Sequence, residues 1–254
     1  MKRSRAPLAL RPDPGAAVPE VAMVMAAGLG KRMRPLTASR PKPLVEVAGK
    51  ALLDHCLDRL RAAGVRKAVV NVHYLPDAVE ALLRNRAHGL EIAISDERDQ
   101  LLETGGGLVR ALPQIDADPF LVVNSDNLWV DGPVDTLRQL AASWDEERMD
   151  ALLLLVPLAR AHCHSGQGDF HMTSAGRLRR RKPGVVAPFV YTGIQMISKR
   201  LLEGEHPDGP FSTNILWDRA IAEGRCFGAV HQGLWFDIGA PPNIRKAEEI
   251  LGLR

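Results

Sequence analysis

VAMVMAAGLGKRMRPLTASRPKPLVEVAGK, residues 21–50, decides how the rest of the chain is read. Val21–Met25 is a short apolar run with the character of a buried strand. It passes directly into Ala26-Ala27-Gly28-Leu29-Gly30, where small side chains let the backbone bend tightly and approach a ligand. Lys31, Arg32 and Arg34 follow at once. A strand that ends in a small-residue loop loaded with cations is a phosphate cradle, because backbone N–H groups and fixed positive charge converge on one anion.

Two familiar cradles do not fit. A P-loop needs Gly where Met25 stands and Ser or Thr where Arg32 stands. A dinucleotide fingerprint needs a third Gly where Met33 stands. What the stretch offers is A-A-G-x-G-x-R, followed about ten residues later by Pro41-Lys42-Pro43-Leu44. With this pair of motifs the chain resembles the sugar-phosphate nucleotidyltransferases, in which they open the nucleotide-binding half.

Length and composition agree with a folded chain of that size. The 254 residues suffice for one large domain, and 46% hydrophobic with 25% charged residues is ordinary for a globular protein. A net charge of +3 suits an anionic small molecule and makes no case for nucleic acid. With only two Tyr, the arginine-rich stretch lacks the stacking partners of an RNA binder. Cys56, Cys163 and Cys226 are odd in number and far apart, which points to a reducing, cytoplasmic compartment rather than disulfides or zinc. No apolar run reaches the length of a membrane span. Residues 1–19 carry Lys2, Arg3, Arg5 and Arg11 among Pro and Ala, and read as a flexible basic arm ahead of a single domain over residues 20–254.

Beyond the loop, periodicity predicts a helix over Ala51–Ala63 stopped by Gly64, a strand over Lys67–Val72 and a helix over Pro76–Arg86. A strand over Glu91–Ser95, a helix over Leu108–Leu112 and a strand over Pro119–Asn124 come next. The alternation implies an α/β fold, an open and mostly parallel sheet flanked by helices, with ligands beyond the carboxyl ends of its strands. After a strand at Ala151–Val156, shorter strands at Gly168–Thr173, Arg177–Arg180 and Phe189–Ile197 predict a smaller mixed-sheet region for the sugar. A helix over Asn214–Glu223, a strand over Phe227–His231 and a helix over Pro242–Leu251 close the chain.

Several side chains carry chemistry on this plan. Asp126 follows the buried strand Phe120–Asn124, so its carboxylate emerges at the ligand edge of the sheet. Asp237 sits in the apolar string Leu234-Trp235-Phe236-Asp237-Ile238-Gly239, where a carboxylate needs a partner or a metal. One from each half of the chain can hold a hard divalent ion against a triphosphate. Taken alone, each has a plainer reading, a helix N-cap for Asp126 and a turn carboxylate for Asp237. Arg32 suits forked phosphate contact, and Lys42 is a point charge held between two prolines. His162, Cys163 and His164 place two imidazoles at chelating spacing, though no further ligand pattern accompanies them.

The resemblance adds roles to these positions. It implies Asp126 and Asp237 as ligands of Mg2+, Arg32 on the leaving pyrophosphate, and Lys42 near the transferring phosphoryl group. It gives Ala26, Ala27, Gly28, Gly30, Lys31, Arg32, Asn71, Thr104 and Gly105 to the nucleotide, the last two within Glu103-Thr104-Gly105-Gly106-Gly107. It gives Asn124, Asp169, Tyr191, Thr192, Gly193 and Lys182 to the sugar, although Arg181 stands where relatives usually carry Glu before Lys182. The strings L-E-T-G-G-G, Gly166-x-Gly168-Asp169-Phe170 and Tyr191-Thr192-Gly193-Ile194 resemble the N-acetylmuramate α-1-phosphate uridylyltransferases. Mannose-1-phosphate guanylyltransferases carry similar strings, and thymidylyl or uridylyl transfer to glucose 1-phosphate is a further alternative. The expected partners are a nucleoside triphosphate and a sugar 1-phosphate, with no nucleic acid or membrane, and the chain as a monomer or homodimer. A non-catalytic sugar-nucleotide sensor on the same fold is the competing class, but the phosphate cations and both carboxylates are retained.

Overall fold

Val21–Met25 forms a strand with its first four residues fully buried, and the rest of the main sheet is assembled on either side of it. The computed structural model describes residues 16–85 and 89–253. Most of the expected basic arm, residues 1–15, lies outside these, as does Arg86 at the expected end of one helix. Val18, within the span assigned to the arm, packs against the core.

In chain order the first half contains β1 (Val21–Met25), β2 (Glu46–Val47), β3 (Lys50–Ala51), α1 (Leu52–Ala63), β4 (Lys67–Val72) and α2 (Pro76–Asn85). It continues with β5 (Glu91–Asp96), α3 (Glu103–Ala111), β6 (Phe120–Asn124), β7 (Asn127–Val130) and α4 (Thr136–Ala142). The second half contains β8 (Ala151–Pro157), β9 (Ala161–His162), β10 (Phe170–Met172), β11 (Leu178–Arg180) and β12 (Phe189–Ile197). It ends with α5 (Asn214–Ala222), β13 (Cys226–Val230), β14 (Leu234–Asp237) and α6 (Pro241–Ile250).

The main sheet has nine strands in the order β11-β10-β12-β6-β1-β4-β5, with β8 and β13 branching from β12. Only β12 and β11 run against the other seven, so the expected mostly parallel sheet is observed. Side chains of β1 alternate between two cores. Ala22 and Val24 face Leu53, Cys56, Leu57 and Leu60 of α1. Val21 and Met23 face Leu108 and Ala111 of α3, and Leu216 and Trp217 of α5. Each fully buried Leu contributes about 2 kcal/mol of apolar transfer, which explains why these short helices hold to the sheet. Gly64, with φ 107°, ends α1 in the left-handed conformation that only glycine adopts without strain.

Two expectations are corrected. The helix expected over Leu108–Leu112 starts five residues earlier, so Gly105, Gly106 and Gly107 lie inside α3 instead of leading into it. The apolar string around Asp237 is itself a strand: β14 pairs antiparallel with β7 and parallel with β9 in a separate small sheet. A third core, around Met33, Leu52, Phe236 and Ile238, joins this sheet to the loop after β1 and to Ala247 of α6.

Candidate active site

The loop after β1 is pinned at both ends. Ala26 N–H donates to the Asn71 Oδ1 atom at 2.6 Å, and the Thr37 hydroxyl donates to the Gly30 carbonyl at 2.8 Å. Gly30 has φ 60°, and a Cβ there would lie 3.1 Å from Cβ of Lys42, so glycine lets the loop close onto that lysine. Gly28 is different: nothing stands within 4 Å of where its Cβ would be. It opens onto a cavity of about 380 Å3 that Ala26, Ala27, Asn71 and Thr104 also line. Gly30, Lys31, Arg32 and Gly105, expected with them, do not line this cavity.

Asn71 is 1% exposed and both of its polar atoms are engaged, since Nδ2 donates to Glu97 Oε1 at 2.7 Å. Glu97 is itself fully buried and accepts from the Leu102 N–H at 3.0 Å. Asn71 therefore ties the first loop to the start of α3. The glycines of α3 are used for packing. Gly105 and Gly106 donate their N–H groups to the Phe211 carbonyl, and Cβ atoms on them would fall 2.3 Å from the Phe211 ring and 2.4 Å from the Gly209 carbonyl.

A second cavity, about 180 Å3, adjoins the first at Lys42, Asn124 and Asp126. Lys42 sits between buried Pro41 and Pro43 and donates to Asp126 Oδ2 at 2.5 Å. Asp126 lies in the turn from β6 to β7, where Ser125 Oγ and N–H both bond the Met25 carbonyl. Asp237 enters from β14, whose register sets it opposite Asn127, the residue after Asp126. Its Oδ2 pairs with His164 Nδ1 at 3.2 Å, and its carbonyl accepts from Asn243 Nδ2 of α6 at 2.8 Å. Asn243 Nδ2 also reaches the Cys163 carbonyl at 3.1 Å, tying the backbone of the histidine loop to that of Asp237. Arg32 lines this cavity beside Asp237, so Arg32, Lys42, Asp126 and Asp237 meet in one space.

The same space holds most of the expected sugar-binding residues, namely Asn124, Asp169, Tyr191, Thr192 and Gly193. Asp169 accepts the Tyr191 N–H at 2.9 Å, and Gly193, φ 81°, marks a bulge where a Cβ would strike both Asn124 and Asn127. Thr192 is fully buried, with its hydroxyl on the Leu154 carbonyl and its own carbonyl accepting from the Trp235 indole. Lys182 is exposed and lines neither cavity. The arginine run before it is structural: Arg180 pairs with Asp218 and lies over Phe170, while Arg181 donates to the Gly168 and Val185 carbonyls.

His164, Asn243 and Glu97 are the residues that sequence reading missed. His164 stood in view as half of a chelating pair, but Cys163 adopts φ 63° and the chain is not extended there. His162 stacks on Phe236, and only His164 reaches the cavity. Among the described residues no three His, Cys, Asp or Glu side chains gather as a metal cage. For Asn243 and Glu97 the sequence offers no signal, because each acts on a residue distant in the chain.

A cavity under a small-residue loop, opening onto a lysine, an arginine and two carboxylates, has the charge and room to accept a polyphosphate beside a second anion. Such a site on a mostly parallel sheet defines a nucleotide-handling transferase. A family profile described as Nucleotidyl transferase matches residues 21–166. The N-acetylmuramate alpha-1-phosphate uridylyltransferase of Caulobacter vibrioides is 50% identical over 233 residues, covering 91% of this chain and 96% of that one. The enzyme of the same description from Neisseria meningitidis is 35% identical over 232 residues, covering 91% and 98%. The crystal structure of HddC from Yersinia pseudotuberculosis shares the fold, with a TM-score of 0.74 at 23% identity over 91% of this chain and 99% of that one. The chain belongs to the nucleotidyl transferase family, among the sugar-1-phosphate nucleotidyltransferases. Enzymes of this family join a nucleotide to a sugar 1-phosphate.

Proposed function

We propose that this enzyme transfers the uridylyl group of UTP to N-acetylmuramate 1-phosphate, releasing pyrophosphate and a nucleotide-activated sugar in the cytoplasm. The observation that carries it is the meeting of Lys42, Asp126, Asp237 and Arg32 in one cavity that continues into the space beneath Gly28. The choice of UTP and of the N-acetylated sugar rests on the 50% identical relative.

The nucleophile is the sugar phosphate oxygen, which is already anionic near neutral pH. No general base is needed, and the chemistry rests on alignment and charge neutralisation. Lys42, placed by its contact with Asp126, faces the α-phosphorus, where charge redistributes as the new bond forms. Arg32 receives the pyrophosphate oxygens in a forked contact. Ala26, Ala27 and Gly28 admit the triphosphate, with Thr104 at the nucleoside end of the cavity. Asp169 and the Tyr191–Gly193 bulge frame the sugar.

The carboxylates also fit a divalent ion. Each engages one oxygen, Asp126 with Lys42 and Asp237 with His164, and among the described residues the other oxygen makes no hydrogen bond. Two hard oxygen donors match Mg2+, which usually completes its shell with water and substrate phosphate. Asp126 and Asp237 would hold it, and when bound it neutralises phosphate charge and orients the triphosphate. Pyrophosphate release, measured with UTP, GTP and dTTP against N-acetylmuramate, mannose and glucose 1-phosphates, tests the reading. UTP with N-acetylmuramate 1-phosphate is expected to give the highest kcat/KM, and preference for GTP with mannose 1-phosphate would overturn it.

A further inference from the structure

His164 and Gly166 both stand out in the sequence, one as half of a histidine pair and the other in Gly166-x-Gly168-Asp169-Phe170, and the transfer chemistry uses neither. In the fold they touch. Gly166 has no positive φ to explain it, but a Cβ there would fall 2.4 Å from His164 Nε2. Glycine at this position is what gives the imidazole room. The Trp235 ring lies on another side of it, with centroids 6.3 Å apart.

The enclosed ring makes one polar contact. Its side chain is 17% exposed, and Nε2 is buried without a partner. A proton on Nε2 would be a buried donor left unmade, so the ring proton belongs on Nδ1, which faces Asp237 Oδ2 at 3.2 Å. Asn243 Nδ2 joins the Cys163 and Asp237 carbonyls, so the two backbones that carry the ring and the carboxylate are tied together.

Asp237 also has a competing partner at hand. A Cβ on Gly239 would lie 2.7 Å from Asp237 Oδ1 and 3.3 Å from Arg32 Nη1, so carboxylate and guanidinium flank the same open spot. Among the described residues Arg32 makes no ion pair. A loose carboxylate beside an unpaired guanidinium closes on it in a forked contact. That pair would withdraw the metal carboxylate and the pyrophosphate cation together.

We propose that His164 is a positioning residue: its Nδ1–H holds Asp237 Oδ2, which leaves Oδ1 free for the divalent ion and keeps the carboxylate from closing on Arg32. Gly166 serves the same end by making room for the ring. The inference rests on Asp237 as a metal carboxylate.

Mn2+ is the probe. With UTP and no sugar phosphate nothing turns over, and water proton relaxation reads the Mn2+ held on the enzyme. His164→Asn and His164→Leu match each other in shape, and only Asn keeps a donor where Nδ1 stood. The Leu variant should bind Mn2+ about tenfold more weakly or worse, the usual effect of losing a hydrogen bond to a metal ligand, with Asn within about threefold of wild type. Gly166→Ala, at an exposed position, displaces the ring without touching the core. It should weaken Mn2+ in the same direction at an unchanged melting temperature. The KM for UTP should rise in the Leu and Gly166→Ala variants, because Arg32 is then captured. Equal losses in the Asn and Leu variants, or wild-type affinity in the Leu variant, overturn the proposal. A wild-type enzyme that adds nothing to the Mn2+ signal of UTP alone, or Asp237→Asn with undiminished binding, defeats the metal reading and the inference with it. Uridylyl transfer is judged separately, by pyrophosphate release.

Discussion

Two glycine-rich stretches border the first cavity, and they serve opposite ends. In the first, Gly28 is exposed, with nothing within 4 Å of its missing Cβ. In the second, Gly105 and Gly106 are buried, their N–H groups are taken by the Phe211 carbonyl, and a Cβ on either would collide. The first leaves space open; the second removes space so that α3 can press against the segment before α5. Glycine content marks both as places of close approach, but only the free volume says whether the approaching body is a substrate or another part of the chain. Asn71 and Glu97 bridge the two, so the open loop is held in place by the packed one.

The largest effect is expected on the open side. Lys42→Ala should lower kcat on the order of a hundredfold or more, comparable with losing one electrostatic donor in a transition state. Steady-state kinetics with both substrates saturating check it, and a change confined to KM would make Lys42 a binding contact only. The bridge comes next. Asn71→Leu strands the Ala26 N–H and a buried carboxyl, a loss of about 2–3 kcal/mol that denaturant unfolding would read, accompanied by a raised KM for the triphosphate. If KM stayed put, the two stretches would be independent. Gly106→Ala should cost about 1–2 kcal/mol, because the clash at the Gly209 carbonyl outweighs the better helix propensity of alanine. A melting temperature equal to wild type would show that α3 has slack. The smallest change in stability belongs to Gly28→Ala, within about 0.5 kcal/mol. Its KM for the triphosphate should still rise several-fold, since the methyl enters the space reserved for substrate; unchanged KM would place the phosphates elsewhere.

Much of this was legible because it is local. The strands Val21–Met25, Lys67–Val72 and Phe189–Ile197 have the bounds that apolar patterning predicts. Asp126 stands where a carboxylate after a buried strand must stand. The partners of Asp237 were not legible. Its strand is four residues long and pairs with segments remote in sequence, so no periodic signal precedes it. His164 looked like a chelator because positive φ at Cys163 is invisible in composition. Asn71 was expected to contact the nucleotide. It does line the cavity, but its amide is spent on Ala26 and Glu97, a pairing that only the sheet register between β1, β4 and β5 reveals.

The small sheet that carries Asp237 gives the site a place in time. During synthesis the loop, Lys42 and Asp126 emerge well before β14, which lies more than a hundred residues further along. Closing so long a loop onto β7 is a late, entropically expensive step. A nascent chain can therefore bring the loop, Lys42 and Asp126 together before Asp237 arrives beside them. The cavity that holds Arg32, Lys42 and Asp126 is complete only when β14 docks on β7 and brings Asp237 to it.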